Sequence, residues 1–231
     1  MFETSVYDTV WWEMIMKERS EQTKTRERIL TVACEVFAEQ GFRDTTIRDI
    51  CQQATVNVAA VNYYFGSKEH LYEEVCKYLF GLSVGNADHR FELHEENTAE
   101  ENLRTFIRDL LVNVLSQDRS HWRHMIMSRE MVDPTSALSI VVKDMIKPRF
   151  QQLYAVVERL LGENAPDELI RRCCLSITGQ CLYYRFAQPV VLQLSPQQKF
   201  DKTGIEKLAD HIARFSLNAI KQFTVENKER K

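Results

Sequence analysis

Apolar residues recur at three- and four-residue spacing through most of this 231-residue chain, and that rhythm restricts it to helices packed on helices. Ile29, Val32, Ala33, Val36 and Phe37 form one such stripe, and Leu103, Phe106, Ile107, Leu110, Leu111 and Val114 form another. Further stripes run Leu138 to Ile146, Phe150 to Leu161, Ile170 to Tyr184 and Ile205 to Phe223. Only 7 glycines and 5 prolines interrupt the chain, which favours long helices over a turn-rich sheet. The expectation is an all-α fold of about nine helices.

Between Thr25 and Ala54 the punctuation is local. Gly41 follows the first stripe, where a left-handed C-cap is needed, so a helix is expected over Thr25 to Gln40. Thr46 with Asp49 three residues later reads as a capping box that opens a short second helix. After Thr55 and Val56, Asn57 offers the cap of a third helix, closed by Gly66, and Ser67 caps a fourth, longer one. Two short helices separated by a tight turn suit a helix-turn-helix, in which the second helix presents its N-terminal side chains to base edges. No charge falls between Val56 and Ser67, and Ala59 and Ala60 are small enough for the groove floor or a thymine methyl. Asn57 and Asn62 are candidate base partners, while Tyr63, Tyr64 and Lys68 are candidate phosphate donors. Lys17, Arg19, Lys24, Arg26 and Arg28 cluster ahead of these elements and can face phosphates as well, although the whole chain carries a formal charge of −3.

The run T-R-E-R-I-L-T-V-A-C-E-V-F-A-E-Q-G-F, then T-T-I-R-D-I, then V-N-V-A-A-V-N-Y-Y-F-G-S-K-E-H-L-Y resembles the TetR/AcrR repressor family across residues 25–72. The resemblance implies that Thr45 and Thr46 contact phosphate, that Asn57, Ala59, Ala60 and Asn62 face the groove, and that Tyr63, Tyr64 and Lys68 hold the backbone. Thr55 departs from the pattern, because many relatives have glycine in that turn; a β-branched residue must adopt an unfavourable backbone there. The segments S-R-E-M-V-D-P-T-S-A-L at 128–138 and S-I-T-G-Q-C-L-Y-Y at 176–184 resemble the CerR-type branch of the family. That likeness implies a ligand-sensing and dimerising C-terminal domain, with relatives that govern transport or drug-resistance genes.

The expected division is a flexible extension over 1–20, a DNA-binding domain over 21–68 and a ligand-binding, dimerising domain over 69–231. Residues Asp88 to Glu101 hold six acids against Arg90 alone and read as a solvated connection between helices. Helix starts are expected at Asp133-Pro134 and Pro166. An effector pocket is expected among Trp122, Met125, Met127, Arg129, Tyr154, Gln180, Tyr183 and Tyr184, which combine apolar, aromatic and hydrogen-bonding character. The helix from Pro166 carries two apolar stripes, more than one buried face needs. A homodimeric four-helix bundle is therefore expected, with Cys174, Ile177, Cys181, Ile212, Phe215 and Ala219 at its interface.

Other functions fare poorly on the residues. There is no G-x-G-x-x-G, P-loop, H-E-x-x-H or G-x-S-x-G motif, so no catalytic residue or cofactor is assigned. His121 and His124 have helical metal-ligand spacing but no neighbouring cysteine or carboxylate to complete a set, and no metal is expected. The six cysteines lack C-x-x-C spacing and lie mostly on apolar stripes, which suits reduced thiols in a cytoplasmic protein. The patch Val10-Trp11-Trp12 is too short to span a membrane. The reading is a DNA-binding transcriptional regulator, a repressor released from palindromic double-stranded operator DNA by a small-molecule effector. A helical protein-interaction adaptor without DNA affinity is the principal alternative.

Overall fold

The computed structural model describes residues 6–81, 96–115, 120–162 and 164–229, with side chains described between residues 19 and 224, residue 120 apart. Among the described residues every regular element is helical. They are α1 (Val6–Gln40), α2 (Ile47–Ala54), α3 (Val58–Phe65), α4 (Lys68–Leu79), α5 (Ala99–Leu115), α6 (Ser120–Val132), α7 (Ser136–Val141), α8 (Lys147–Leu161), α9 (Asp167–Phe186), α10 (Gln188–Leu194) and α11 (Lys202–Glu229). A single π-helical turn, Val142–Ile146, joins α7 to α8 without a break in the chain's helical path. The described residues thus hold eleven α-helical segments where about nine are expected, partly because Pro189 in the first turn of α10 restarts a helix that hydrophobic spacing does not mark.

The first helix is the largest departure. It begins at Val6, not Thr25, so the basic residues Arg19, Lys24, Arg26 and Arg28 lie along the helix itself. The extension expected over residues 1–20 is helical from Val6 onward. The side chains of Val10, Trp11, Trp12 and Lys17, and the acidic connection over residues 88–95, lie outside the described residues. Pro134 does not open a helix: Thr135 caps α7 through its hydroxyl, which accepts from the Ala137 amide at 3.2 Å.

Two apolar cores divide the chain. One gathers α1 to α4 around Ile29, Phe37, Ile50, Leu71 and Val75, and it also takes in Ile126 of α6 and Ala137 and Val141 of α7. The other gathers α5, α8, α9 and α11 around Leu103, Ile107, Leu111, Leu153, Cys174 and Ile177. The packing therefore does not follow a boundary at residue 68, because α6 and α7 return to the N-terminal helices after α5 has entered the second core. Phe37, Phe42 and Tyr72 stack in the first core, with ring centroids 4.9 and 5.0 Å apart about Tyr72.

Polar ties hold α6 and α7 to that first core. Tyr72 donates its hydroxyl to Glu130 Oε1 at 2.9 Å, and the same carboxylate accepts from the Thr135 amide and hydroxyl, each at 2.9 Å. Glu130 is buried, so these donors supply what water would otherwise supply to the charge. Arg129 reaches back to the end of α1, where Nη2 donates to Glu39 O at 2.6 Å and Nε to Ala38 O at 3.3 Å. A Cβ placed on Gly41, whose φ is 85°, would stand 3.0 Å from Arg129 Nη1, so the glycine permits both the turn and the approach.

Candidate nucleic-acid interface

The two short helices are set by the caps that the sequence announces. Thr46 caps α2 by accepting from the Asp49 amide at 3.3 Å, and Asp49 returns the bond by accepting from the Thr46 amide at 2.8 Å. The Thr46 hydroxyl, which donates to Asp49 Oδ2, and then the Thr46 amide hold the Asp49 carboxyl below the usual carboxylate range. Thr55 ends α2 with φ 53° and ψ 51°, and it is the one positive-φ residue other than glycine among the described residues. Asn57 Oδ1 then accepts from the Ala60 amide at 2.8 Å and opens α3. Behind α3, Val61 and Phe65 enter the core, which fixes the outward direction of the remaining positions.

The outward face of α3 matches most of the expected reading surface. Asn57, Val58, Ala59 and Asn62 are exposed, Ala60 is half-buried, and Tyr63 is 72% exposed. Asn57 uses its carbonyl for the cap, which leaves its amide N–H groups outward. Tyr64 is half-buried against the core, with its ring centroid 5.0 Å from that of Tyr63, so it props the exposed phenol. Val58 was not singled out from the sequence; its exposure beside Ala59 gives the face an apolar contact suited to a thymine methyl. Exposed Arg48 on α2, Arg19 and Arg28 have no ion pair among the described residues and can meet phosphate, whereas Lys24 pairs with Glu21 at 3.1 Å. Arg26 pairs with Glu74 at 2.7 Å and lies 5.2 Å from the Phe65 ring, which ties α1 to α3 and α4.

Two expected phosphate contacts are structural instead. Thr45 is buried, and its hydroxyl donates to Gly41 O at 2.7 Å, so it closes the turn before α2 and does not face solvent. Lys68 donates to Phe42 O at 2.9 Å, Thr45 O at 3.0 Å and Arg43 O at 3.4 Å, and its ammonium sits 4.5 Å from the Phe42 ring. All three donors are thereby committed to the loop between α1 and α2. Thr46 is exposed, but its hydroxyl is engaged by Asp49 Oδ2 at 2.6 Å.

The residues expected to line one effector pocket fall into separate places. Trp122, Met125 and Met127 pack against the N-terminal core, while Tyr154 and Tyr184 pack against the C-terminal one. Arg129 is the cap of α1 described above and holds no free handle toward a pocket. Tyr154 donates to Asp167 Oδ1 at 2.6 Å, which raises its phenol to about 12. Gln180, Tyr183 and Tyr184 do converge, with Gly179, His211 and Ile212, on an open depression of about 380 Å³ between α9 and α11.

The expected interface residues need a correction of face. Cys174, Ile177, Cys181 and Ile212 are fully buried inside the protomer's own core, so they cannot meet a second chain. The second stripe of the same helices carries the exposed apolar surface: Leu175, Tyr183 and Phe186 on α9, and Phe215, 61% exposed, on α11, with Ala219 half-buried near it. All six cysteines are buried and unpaired, and burial pushes the thiols of Cys34, Cys174 and Cys181 up to about 12.

No helix among the described residues is long and apolar enough to cross a membrane. Known proteins resemble both halves of the chain. A family model of bacterial regulatory proteins of the tetR family matches residues 29–75, and a model of the C-terminal domain of the HTH-type transcriptional dual regulator CecR matches residues 99–220. Segments 128–138 and 176–184 lie within the residues that the second of these models matches. The HTH-type transcriptional dual regulator CecR of Shigella flexneri is 28% identical over 203 residues, 83% of this chain and 88% of its own. The HTH-type transcriptional repressor NicS of Pseudomonas putida is 34% identical over 90 residues, covering 38% of this chain and 42% of the relative. Among solved structures, a linker-substituted mutant of HlyIIR superposes with a TM-score of 0.60 at 25% identity, over 82% of this chain and 99% of that one.

Proposed function

Since the chain belongs to the tetR family of bacterial regulatory proteins, with a C-terminal domain of the CecR type, and is a DNA-binding transcriptional regulator and not an enzyme, we propose that it represses its target genes until a small molecule releases it. The observation that carries this reading is the outward face of α3. Asn57, Val58, Ala59, Asn62 and Tyr63 stand exposed together on a helix whose other side is locked into the core. Such a face has hydrogen-bonding groups and small apolar groups for base edges, and Tyr63 adds a phenol donor within reach of a phosphate.

A palindromic operator needs two reading heads related by a twofold axis. The uncovered stripe of Leu175, Tyr183, Phe186 and Phe215 suits such pairing through α9 and α11, because a symmetric four-helix bundle would remove it from water. Release then follows from any effector that favours a different spacing of the heads. The route for that coupling is α6, which packs into the N-terminal core through Ile126 and caps α1 through Arg129.

Hydroxyl-radical footprinting of the homodimer on the DNA upstream of its own gene tests the proposal. Two protected segments about 34–36 Å apart, each centred on a major groove, are expected. Absence of protection at low salt overturns the reading and favours a protein-interaction adaptor.

A further inference from the structure

Several cations collect where the two cores meet. His121, Arg123 and His124 lie on α6, which belongs to the N-terminal core, while Arg149 on α8 and Arg185 near the end of α9 belong to the C-terminal one. His124 is only 8% exposed, and its Nε2 is buried without a hydrogen-bond partner. Arg123 is half-buried, and its Nη2 donates to Asn113 O at 2.7 Å and Asn113 Oδ1 at 2.8 Å at the end of α5. Those bonds orient the guanidinium and leave Nε and Nη1 uncommitted among the described residues. Arg185 is half-buried too, and no hydrogen bond or ion pair engages it among the described residues.

The electrostatics agree with this geometry. Burial first, then Arg185, Arg123 and His121, push the His124 imidazole down to about 3. Arg123 is itself pushed below its usual value by burial and then by Arg149 and Arg185. Arg123 and Arg185 are half-buried and repel each other, with no carboxylate paired to either among the described residues, and an added anion would relieve that repulsion.

We propose that this junction of α5, α6, α8 and α9 holds the oxyanion of the effector, a carboxylate or phosphate gripped by Arg123 and Arg185 and completed by His124 Nε2. This inference rests on the effector-released reading and narrows its ligand to one class. A planar guanidinium matches two oxygens of a carboxylate or phosphate, and a neutral imidazole can add one N–H donor. The site also lies where binding has leverage. An anion bridging Arg123 to Arg185 draws α6 toward α9, and α6 holds the last turn of α1 through Arg129. Effector binding and reading-head position are thereby mechanically linked.

The test uses the full-length protein, with decanoate and decyl phosphate as probes, decanol as the neutral control and ionic strength held constant. Calorimetric titration is expected to show saturable binding of both anions and none of decanol. Arg123→Gln and Arg185→Gln are expected to weaken the anions at least about tenfold, and Arg185→Lys less so because it keeps charge but loses the fork. Arg172→Gln, on the exposed side of α9 and paired with Glu168, is expected to bind like the unaltered protein. If the glutamine variants fail to fold, the perturbation of the His124 ring resonances by decanoate in the unaltered protein carries the decision. Binding of decanoate, decyl phosphate and decanol alike, equal affinity in all folded variants, or no shift at His124 would overturn the proposal. Each preparation is also assayed on operator DNA with and without probe. Operator release without anion binding at Arg123 and Arg185 removes this site and leaves effector release standing, whereas anion binding that leaves operator affinity unchanged supports the site and removes the effector-released reading.

Discussion

The two cores are held together differently. The N-terminal core, around α1 to α4 with α6 and α7, is laced with directed polar bonds: Lys68 to three carbonyl oxygens, Arg129 to the end of α1, and Glu130 to Tyr72 and Thr135. The C-terminal core is built mainly from aliphatic side chains, with Phe106 and three thiols, on α5, α8, α9 and α11, and its ion pairs, such as Arg104 with Asp210 and Lys221 with Glu100, are exposed. A reading head must keep α3 at a fixed angle to DNA, and directed bonds specify angle in a way that apolar burial does not. The sensing and pairing proposed for the C-terminal helices would use instead apolar surfaces that can shift or accept a partner.

That contrast can be broken by substitution. The largest effect is expected in the apolar core, where Leu111→Ala leaves a cavity and costs about 2–5 kcal/mol of unfolding free energy in denaturant titration. A loss well below 1 kcal/mol would mean that this core is loosely packed. Next, Glu130→Ala strands the Tyr72 hydroxyl and the Thr135 amide, with an expected cost of about 2–4 kcal/mol by the same titration. Near-neutrality there would remove the claim that polar bonds organise the N-terminal core. Lys68→Met sharpens the comparison further. A structural tie predicts about 1–2 kcal/mol of lost stability, whereas a phosphate contact would leave stability alone and flatten the salt dependence of DNA binding. The smallest effect is a gain: Thr55→Gly relieves a β-branched residue at φ 53° and is expected to raise stability by about 1 kcal/mol. A thermal midpoint unchanged or lowered by Thr55→Gly would show that the threonine makes up the strain elsewhere.

How much of this was legible in the sequence depended on distance along the chain. The caps by Thr46, Asn57 and Ser67 and the turns at Gly41 and Gly66 involve partners within four residues, and each stands where the sequence puts it. Hence the recognition helix and its outward residues were readable. Lys68 was misread because its acceptors lie 23 to 26 residues away, and Arg129 because its acceptors lie 90 and 91 residues away. Side chains that reach so far leave no periodic trace. The residues expected at a dimer interface turn out to be core for another reason. Periodicity revealed two apolar faces on α9 but not which one its own core would take, and the core took Cys174, Ile177 and Cys181. The cation cluster was missed because His121, Arg123, Arg149 and Arg185 belong to three helices that only tertiary packing brings together.

If the exposed face of α3 reads DNA, the affinity of Tyr63→Ala and Asn62→Ala for the footprinted fragment must fall, with thermal midpoints measured alongside. Unchanged midpoints, because both side chains are exposed, and binding at least about tenfold weaker for each variant are the expected results. Native affinity in both variants at moderate salt would contradict it.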